Sequence, residues 1–165
     1  MKARNSLPVW IWKRPDSIIA CGFGTGAAPF APGTFGTLIG IPFYWLMQDL
    51  SLFSYSLVLA LFFLFGVWVC QTTADALKVH DHPGIVWDEV VGYLVTMMFA
   101  PAGWQWWLLG FLLFRLFDIV KPWPISVLDR RVAGGFGIMI DDVLAGVYAL
   151  LCLQLIAASN LLSFI

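Results

Sequence analysis

Long apolar segments separated by short polar clusters make up most of the chain. Four intervals contain no Asp, Glu, Lys or Arg: 17–48, 50–74, 90–114 and 143–165. A helix that crosses a bilayer needs roughly 20 apolar residues, with a range of about 17–25. Glycine and proline dominate the first interval up to about residue 33, so only its second half is expected to be helical. The sequence "APAG" at 100–103 predicts a turn that divides the third interval into two short helices.

This pattern predicts five helices, near residues 34–49, 52–78, 85–100, 104–120 and 141–160. The first two are joined by a tight turn around "QDLS". We therefore expect an all-α, polytopic membrane helix bundle that forms a single domain over residues 1–165. The third and fourth helices are short, and a tilted, incomplete or re-entrant crossing is compatible with their length.

Composition supports a membrane protein. The chain is 61% hydrophobic and 12% charged, with a mean hydropathy of +0.86. Soluble domains carry roughly 25% charged residues, so this chain has too few to cover a surface that faces water. The net charge of −1 gives no basis for nucleic-acid binding. The three cysteines, Cys21, Cys70 and Cys152, form no CxxC pair and indicate neither a disulfide framework nor a zinc site.

The basic residues predict the orientation in the membrane. They cluster before the first span and in the second and fourth connections, whereas the connections at 49–51 and 100–103 have none. Positive residues favour the cytoplasmic side, which places the N-terminus inside and the C-terminus outside. The basic, tryptophan-containing N-terminus lacks a signal-peptide core and is expected to lie at the interface, with Trp10 and Trp12 at headgroup depth. The basic positions used are Lys2, Arg4, Lys13, Arg14, Lys78, Lys121, Arg130 and Arg131.

The same topology places most of the acids together. Eight of the ten fall at cytoplasmic helix ends or loops: Asp75, Asp81, Asp88, Glu89, Asp118, Asp129, Asp141 and Asp142. Ionisable residues at the edge of a membrane bundle indicate a functional site by default. Carboxylates from several helices suit Mg²⁺, which binds one or two of them together with phosphate and water. No histidine–cysteine cluster indicates a softer metal.

Structural explanations for the adjacent acids remain open. Neighbouring residues on a helix point about 100° apart, so the two members of a pair cannot face one metal in the same way. One member of Asp88–Glu89, and one of Asp141–Asp142, is equally explained as a helix cap or as a favourable charge at a helix N-terminus.

Alternatives also remain for the other charged residues. One side of the fourth predicted helix carries Arg115, Asp118 and Lys121. This spacing fits an ion-pair ladder along the helix. It also fits a metal ligand, Asp118, with neighbouring cations that bind phosphate. His80 and His82 flank Asp81, and each is either a surface residue or a catalytic base. We interpret three of the ten acids as solvated charges: Asp16 and Asp49, and also Asp129 from the group of eight.

Two glycine-rich segments are predicted on the same side. The first, residues 22–37, contains Thr25, Thr34 and Thr37; the second, "GGFG" at 134–137, precedes the last predicted helix. Glycines allow backbone N–H groups to approach an anion, although they also allow close helix packing. The first segment lacks the Gly-Lys-Ser/Thr ending of a Walker loop. We interpret it as a phosphate- or headgroup-binding loop.

Four blocks of the sequence resemble a known family. They are "CGFGTGAAPFAPGTFGTLIGIP" (21–42), "HDHPGIVWDEVVGY" (80–93), "FRLFDIVKPWPI" (114–125) and "GGFGIMIDDVLAGVYA" (134–149). In this order they resemble the phosphatidylglycerophosphatase A family over about residues 21–149. The resemblance implies a magnesium-dependent phosphatase of the bacterial inner membrane that converts phosphatidylglycerophosphate into phosphatidylglycerol. The family's acidic motif residues correspond to Asp88, Glu89, Asp118, Asp141 and Asp142, and its Lys-Pro-x-Pro element to Lys121, Pro122 and Pro124.

The residue types fit that chemistry. As metal ligands we predict Glu89, Asp141 and Asp142, holding Mg²⁺ against the substrate phosphate. As phosphate-binding groups we predict Arg115, Lys121, Thr25, Thr34 and Thr37. As catalytic groups we predict Asp88, Asp118 and His82, the last for proton transfer. Direct attack by water is preferred over a phosphoaspartate on Asp88 or Asp118.

Two other functional classes are weaker. A membrane lipid kinase or phosphotransferase would share the carboxylates and Mg²⁺, but the chain has no convincing nucleotide loop. A small transporter would place acids near the bilayer midplane and often shows repeated halves, and neither feature is present. The predicted partners are the lipid substrate and the bilayer, and nothing in the sequence specifies an oligomeric state.

Overall fold

The computed structural model describes residues 7–79 and 82–159, and these residues form helices and connecting turns without a strand. The α-helices are α1 (Pro15–Ala20), α2 (Pro32–Met47), α3 (Leu52–Leu77), α4 (Trp87–Met97), α5 (Trp104–Val120), α6 (Ile125–Arg131) and α7 (Gly134–Ala158). Two 3-10 helices, Val9–Lys13 and Gly22–Ala27, flank α1. The predicted all-α bundle is confirmed.

The five predicted helices correspond to α2, α3, α4, α5 and α7. The bounds of α3 and α5 agree with the prediction to within one residue. Helix α4 has only 11 residues. Two short helices, α1 and α6, were not predicted. The start of α7 was also predicted wrongly: the helix begins at Gly134, so that "GGFG" forms its first turn and is not a preceding loop.

Local sequence explains where several helices begin and end. The Ser51 hydroxyl accepts a hydrogen bond from the backbone N–H of Ser54 and caps the start of α3. Pro32 occupies the first position of α2, where its missing N–H costs nothing. Lys78 and Lys121 adopt the left-handed conformation directly after α3 and α5 and stop these helices. These signals therefore position the turns at both ends of the bundle.

Two helices, α3 and α7, are long and apolar enough to cross a membrane. Helix α3 leaves much of its apolar surface uncovered, including Leu57, Leu61, Leu64 and Trp68, which are all more than half exposed. An apolar surface of this extent is unusual for a protein that faces water and is expected against lipid. Membrane association therefore follows from both the helix lengths and the exposed residues.

Helix α7 lies at the centre of the fold, where it packs against α3, α4 and α5. It approaches α4 most closely at Gly146, where a Cβ atom would lie 2.4 Å from the carbonyl oxygen of Gly92. The Thr96 hydroxyl lies in this crossing, 3.0 Å from the Gly92 carbonyl oxygen and 3.4 Å from that of Gly146. The close crossing holds the second turn of α4 against the third and fourth turns of α7.

Gly146→Ala is expected to destabilise the protein by about 1–3 kcal/mol, since the added methyl group meets backbone that cannot rotate away. Thermal unfolding in detergent measures the loss as a lower midpoint temperature. An unchanged midpoint would contradict the rigid α4–α7 crossing.

The start of α7 is held against α3. The backbone N–H of Gly135 donates to the side-chain oxygen of Gln71 at 2.6 Å, and a Cβ at Gly135 would lie 2.1 Å from the Val67 carbonyl oxygen. Gln71 in turn donates to Asp75 at 2.8 Å. Glycine in this turn therefore serves close helix packing, which was one of the two explanations left open by the sequence.

Candidate active site at the charged end of the bundle

A cavity of about 240 Å³ opens at the end of the bundle where α2, α4 and α7 begin and α5 ends. We call this the charged end, because six carboxylates and two basic groups line the cavity. The acids are Asp88, Glu89, Asp118, Asp129, Asp141 and Asp142, and the bases are Arg115 and Lys121. If all are ionised, the lining carries an excess of four negative charges, which would repel an anionic substrate unless a further cation were present.

Three of these acids form the closest group, here called the carboxylate triad. Asp88 and Glu89 come from the first turn of α4 and Asp142 from α7, and one oxygen of each lies within 4.8 Å of the others. Oxygens bound to one Mg²⁺ at 2.0–2.1 Å are separated by about 3–4 Å. The triad therefore needs only a small contraction to surround a divalent cation.

The triad contains buried oxygens, among them Glu89 Oε2 and Asp142 Oδ2, that have no hydrogen-bond donor within the described part of the chain. Asp142 is only 3% exposed. A buried, unsatisfied acceptor costs about 1–3 kcal/mol, and more when it is charged. A bound cation would remove this cost, so the residues present fit Mg²⁺ as a ligand set.

Glu89 reaches the cavity because Gly33 leaves space for it. A Cβ at Gly33, in the first turn of α2, would lie 2.1 Å from Glu89 Oε1 and 3.0 Å from Arg115 Nη1. The Thr37 hydroxyl donates to the Gly33 carbonyl oxygen at 2.9 Å and stays inside α2. The glycine in this segment therefore makes room for a carboxylate.

Arg115 links two acids of the cavity. Its Nη1 lies 2.5 Å from Asp118 Oδ2 and 3.8 Å from Glu89 Oε1. The pairing of Arg115 with Asp118 is the first step of the ion-pair ladder that the sequence left open. Lys121 does not extend this ladder, because its ammonium pairs with acids on α6 and α7 instead.

Lys121 Nζ donates to Asp129 Oδ1 and to Asp141 Oδ2, both at 2.6 Å. Burial disfavours the charged ammonium, but the hydrogen bonds to the two carboxylates outweigh this effect and raise the pKa of Lys121 above its usual value. Lys121 therefore stays charged at neutral pH and provides a fixed positive charge at the cavity wall.

The helix directions add to the positive potential in the cavity. The cavity is lined by Pro32 and Gly33 at the start of α2, and by Asp88 and Glu89 at the start of α4. Helix N-termini carry a partial positive charge and favour anions. The arrangement stabilises the carboxylates and favours the approach of a further anion.

The eight acids predicted to converge fall into three groups. Six line the cavity, whereas Asp75 is exposed and accepts a hydrogen bond from Gln71 away from it. Asp81 and His80 lie outside the described residues, as do Lys2 and Arg4. The convergence expected from the topology is therefore present for most of the acids.

The two pairs of adjacent acids behave differently. Asp141 and Asp142 face different partners, as the helical geometry predicts, because Asp142 joins the triad and Asp141 pairs with Lys121. Asp88 and Glu89, in contrast, each place one oxygen in the triad. The structure thus groups Asp88, and not Asp141, with Glu89 and Asp142.

The explanation of these acids as helix caps is wrong. The residue that caps α4 is Val86, and α7 begins seven residues before Asp141. The two aspartates of α7 therefore lie in its third turn, where neither can satisfy the free N–H groups of the first turn. Asp88 and Glu89 do lie in the first turn of α4, so a favourable interaction with the helix dipole remains for them.

Four other predicted site residues lie outside the cavity lining. Thr37 and Thr25 donate to the carbonyl oxygens of Gly33 and Gly22, and Thr34 lies on α2 without contributing to the lining. The Nδ1 atom of His82 accepts a hydrogen bond from the Gly84 N–H at 3.0 Å. Phosphate binding by these threonines and proton transfer by His82 stay predictions.

Two acids interpreted as solvated charges have specific partners. Asp129 lines the cavity and binds Lys121, and Asp16 forms an ion pair with Arg14. Asp49 is exposed, as predicted. The sequence carries no clear signal for Asp129, because its approach to Lys121 depends on the turn through Pro122 and Pro124.

Comparisons with known proteins identify the family of this chain and several relatives. Residues 18–157 match the family described as Phosphatidylglycerophosphatase A. A relative from Escherichia coli (strain K12), named "Phosphatidylglycerophosphatase A", is 51% identical over 134 residues, which cover 81% of this chain and 78% of the relative. A relative of the same name from Haemophilus influenzae is 47% identical over 153 residues, or 92% of this chain and 94% of that protein.

A third relative carries a different name. The protein from Bacteroides thetaiotaomicron is named "Putative phosphatidylinositol-3-phosphatase" and is 37% identical over 157 residues, which cover 90% of this chain and 92% of that protein. No solved structure matches the chain.

Proposed function

Because the chain belongs to the phosphatidylglycerophosphatase A family and is therefore a phosphatase, we propose that it hydrolyses the terminal phosphate of phosphatidylglycerophosphate. The products are phosphatidylglycerol and inorganic phosphate, the reaction depends on Mg²⁺, and its place is phospholipid biosynthesis. The two relatives with 51% and 47% identity bear the name of this activity.

The observation that carries the proposal is the carboxylate triad with its buried, unsatisfied oxygens. Glu89 Oε2 and Asp142 Oδ2 face a cavity in which acids outnumber bases by four. A site of this charge suits a divalent cation with a phosphate group better than it suits a neutral ligand. Mg²⁺ bound there would neutralise phosphoryl charge and make water a better nucleophile.

The protein's own groups complete the chemistry. Arg115 lies 3.8 Å from Glu89 and is placed to bind phosphoryl oxygens beside the triad. Lys121 holds a fixed positive charge at the wall of the same cavity. Asp118 orients Arg115 through their ion pair. Asp88, as part of the triad, is placed either to share the cation or to take a proton from the attacking water.

The size of the cavity defines what enters it. Pockets that enclose a whole drug-sized ligand have volumes of about 300–1,000 Å³. At about 240 Å³, this cavity suits a phosphate group with its cation and leaves the acyl chains outside. A membrane lipid with an exposed terminal phosphate meets this requirement without leaving the bilayer.

The proposed location is the bacterial inner membrane, as a multi-pass protein with the charged end in the cytoplasm. The basic residues Lys78, Arg130 and Arg131 lie at this end, and positive residues favour the cytoplasmic side. The opposite turns, at 48–51 and 98–103, contain no lysine or arginine.

The test is release of phosphate by the detergent-purified protein. Phosphatidylglycerophosphate is expected to be hydrolysed with Mg²⁺ and without nucleotide, and excess chelator should abolish the reaction. Transfer of phosphate from a nucleotide to a lipid, without phosphate release from phosphatidylglycerophosphate, would favour the lipid kinase or phosphotransferase alternative. No release under any of these conditions would overturn the proposal.

Phosphatidylinositol 3-phosphate should be assayed in parallel, because the relative with 37% identity is named for it. We expect a higher kcat/KM for phosphatidylglycerophosphate. The opposite order would keep the phosphatase and the metal site but change the substrate.

A further inference from the structure

Lys121 occupies a position that resembles a cation site. Its ammonium lies between carboxylates from two different helices, Asp129 on α6 and Asp141 on α7, at 2.6 Å from each. The side chain is 28% exposed, and its backbone is held in the left-handed conformation that ends α5. The ammonium is therefore part of the cavity wall and is not a freely moving surface charge.

The acids of the cavity separate into two groups around two positive centres. Asp142 faces the triad with Asp88 and Glu89, whereas its neighbour Asp141 faces Lys121. In many enzymes that act on phosphate esters, carboxylates of this kind hold two metal ions about 3.5–4 Å apart. Here a lysine ammonium lies between the second pair of carboxylates.

The two groups also differ in net charge, and the triad is the more negative of the two. The triad has three carboxylates and one buried oxygen in Asp142 without a donor. The second group has two carboxylates bound by one ammonium, and Asp118 is already paired with Arg115. Of these two groups, the triad carries the larger net negative charge, even with Arg115 Nη1 at 3.8 Å from Glu89 Oε1, and it is therefore the better site for a divalent cation.

We propose that the ammonium of Lys121 takes the place of a second metal ion, so that the site binds a single divalent cation in the triad. This inference rests on the proposed metal-dependent function. It adds that Lys121 sets the metal stoichiometry and supplies the second positive charge without a second ion.

The test is to count bound Mn²⁺, used in place of Mg²⁺, by the electron paramagnetic resonance signal of the free ion. The purified, folded wild-type protein is expected to bind one equivalent at saturation. Lys121→Met should bind a second, weaker equivalent, because Asp129 and Asp141 lose their shared cation. Lys121→Arg, which keeps the charge, should still bind one.

Lys78→Met is the matched control. Lys78 also follows a helix in the left-handed conformation, ends α3 and is exposed at the same end of the bundle. This variant should bind one equivalent, like the wild type, which separates the loss of Lys121 from the general loss of a lysine.

The outcomes distinguish this inference from the proposed function. Two equivalents bound to the wild type would overturn the inference and leave a metal-dependent phosphatase with two ions. One equivalent bound to Lys121→Met would show that Lys121 does not exclude a second ion, which also overturns it. No binding to the wild type would reject the metal site itself, together with the inference.

Discussion

Asp142→Asn is expected to reduce kcat/KM for phosphate release by at least about 10²–10³-fold, the size of effect seen when one electrostatic group is removed from an active site. Asparagine keeps the shape of the side chain but removes its charge and replaces one acceptor with a donor. Asp142 belongs to the carboxylate triad and is almost fully buried. Binding of the divalent cation should therefore weaken together with turnover.

Stability should change in the opposite direction. Asp142 lies beside several other carboxylates, so removing its charge relieves repulsion between like charges in the metal-free protein. We expect the thermal midpoint of metal-free Asp142→Asn to be equal to or higher than that of the wild type. A gain in stability with a loss of activity is typical of a residue kept for function.

Two further variants control this experiment. Asp75→Asn makes the same chemical change at an exposed acid outside the cavity and should leave activity unchanged. Asp141→Asn should cause a smaller loss than Asp142→Asn, because Lys121 keeps its second carboxylate, Asp129. Wild-type activity in Asp142→Asn would reject the triad as the catalytic centre.

Gly33→Ala is expected to lower activity by about 10²-fold, because a displacement of roughly 1 Å in a catalytic group has an effect of this size. The added Cβ would lie 2.1 Å from Glu89 Oε1, so the carboxylate must leave its position in the triad. Arg115 Nη1, at 3.0 Å, would also be pushed away. Both the cation and the phosphate would lose a contact.

The same substitution should cost little stability. Gly33 does not have a positive φ, and alanine favours a helix more than glycine does. We therefore expect a thermal midpoint close to that of the wild type, measured alongside phosphate release and Mn²⁺ binding. Normal activity with unchanged Mn²⁺ affinity would mean that Glu89 does not need its present position.

Gly40→Ala on the same helix is the comparison variant. A Cβ at Gly40 would lie 2.7 Å from the ring of Tyr93, in the packed interior and away from the cavity lining. This variant should lower the thermal midpoint and leave Mn²⁺ affinity unchanged. The pair of variants separates a defect in the site from a defect in packing.

The sequence alone predicted the helices that depend on long apolar runs. The bounds of α3 and α5 were correct to within one residue, because an uninterrupted apolar segment has few alternatives to a helix when its backbone must satisfy its own hydrogen bonds in lipid. The start of α7 was missed, because Gly134, Gly135 and Gly137 are poor helix formers in isolation. They form a first turn because Gln71 accepts the Gly135 N–H and α3 packs closely there.

The sequence by itself also predicted that most of the acids converge at one end of the bundle, and six of them line the cavity there. The acids near the ends of α4, α5 and α7 fall at one end of the bundle once the order and length of the helices are known. The family blocks assigned chemistry to five of these acids, and all five line the cavity. These conclusions depend only on the order of helices and motifs along the chain, which can be read directly from the sequence.

Only the tertiary structure decided which acid meets which partner. Asp141 and Asp142 are adjacent in the chain, yet one binds Lys121 and the other joins Asp88 and Glu89. That division depends on the rotation of α7 about its axis, which is set by its close contact with α4 at Gly92 and Gly146. The approach of Asp129 to Lys121 likewise depends on where α6 packs. The apolar pattern of a membrane helix defines its length but only weakly its rotation, since lipid accepts apolar side chains on every face.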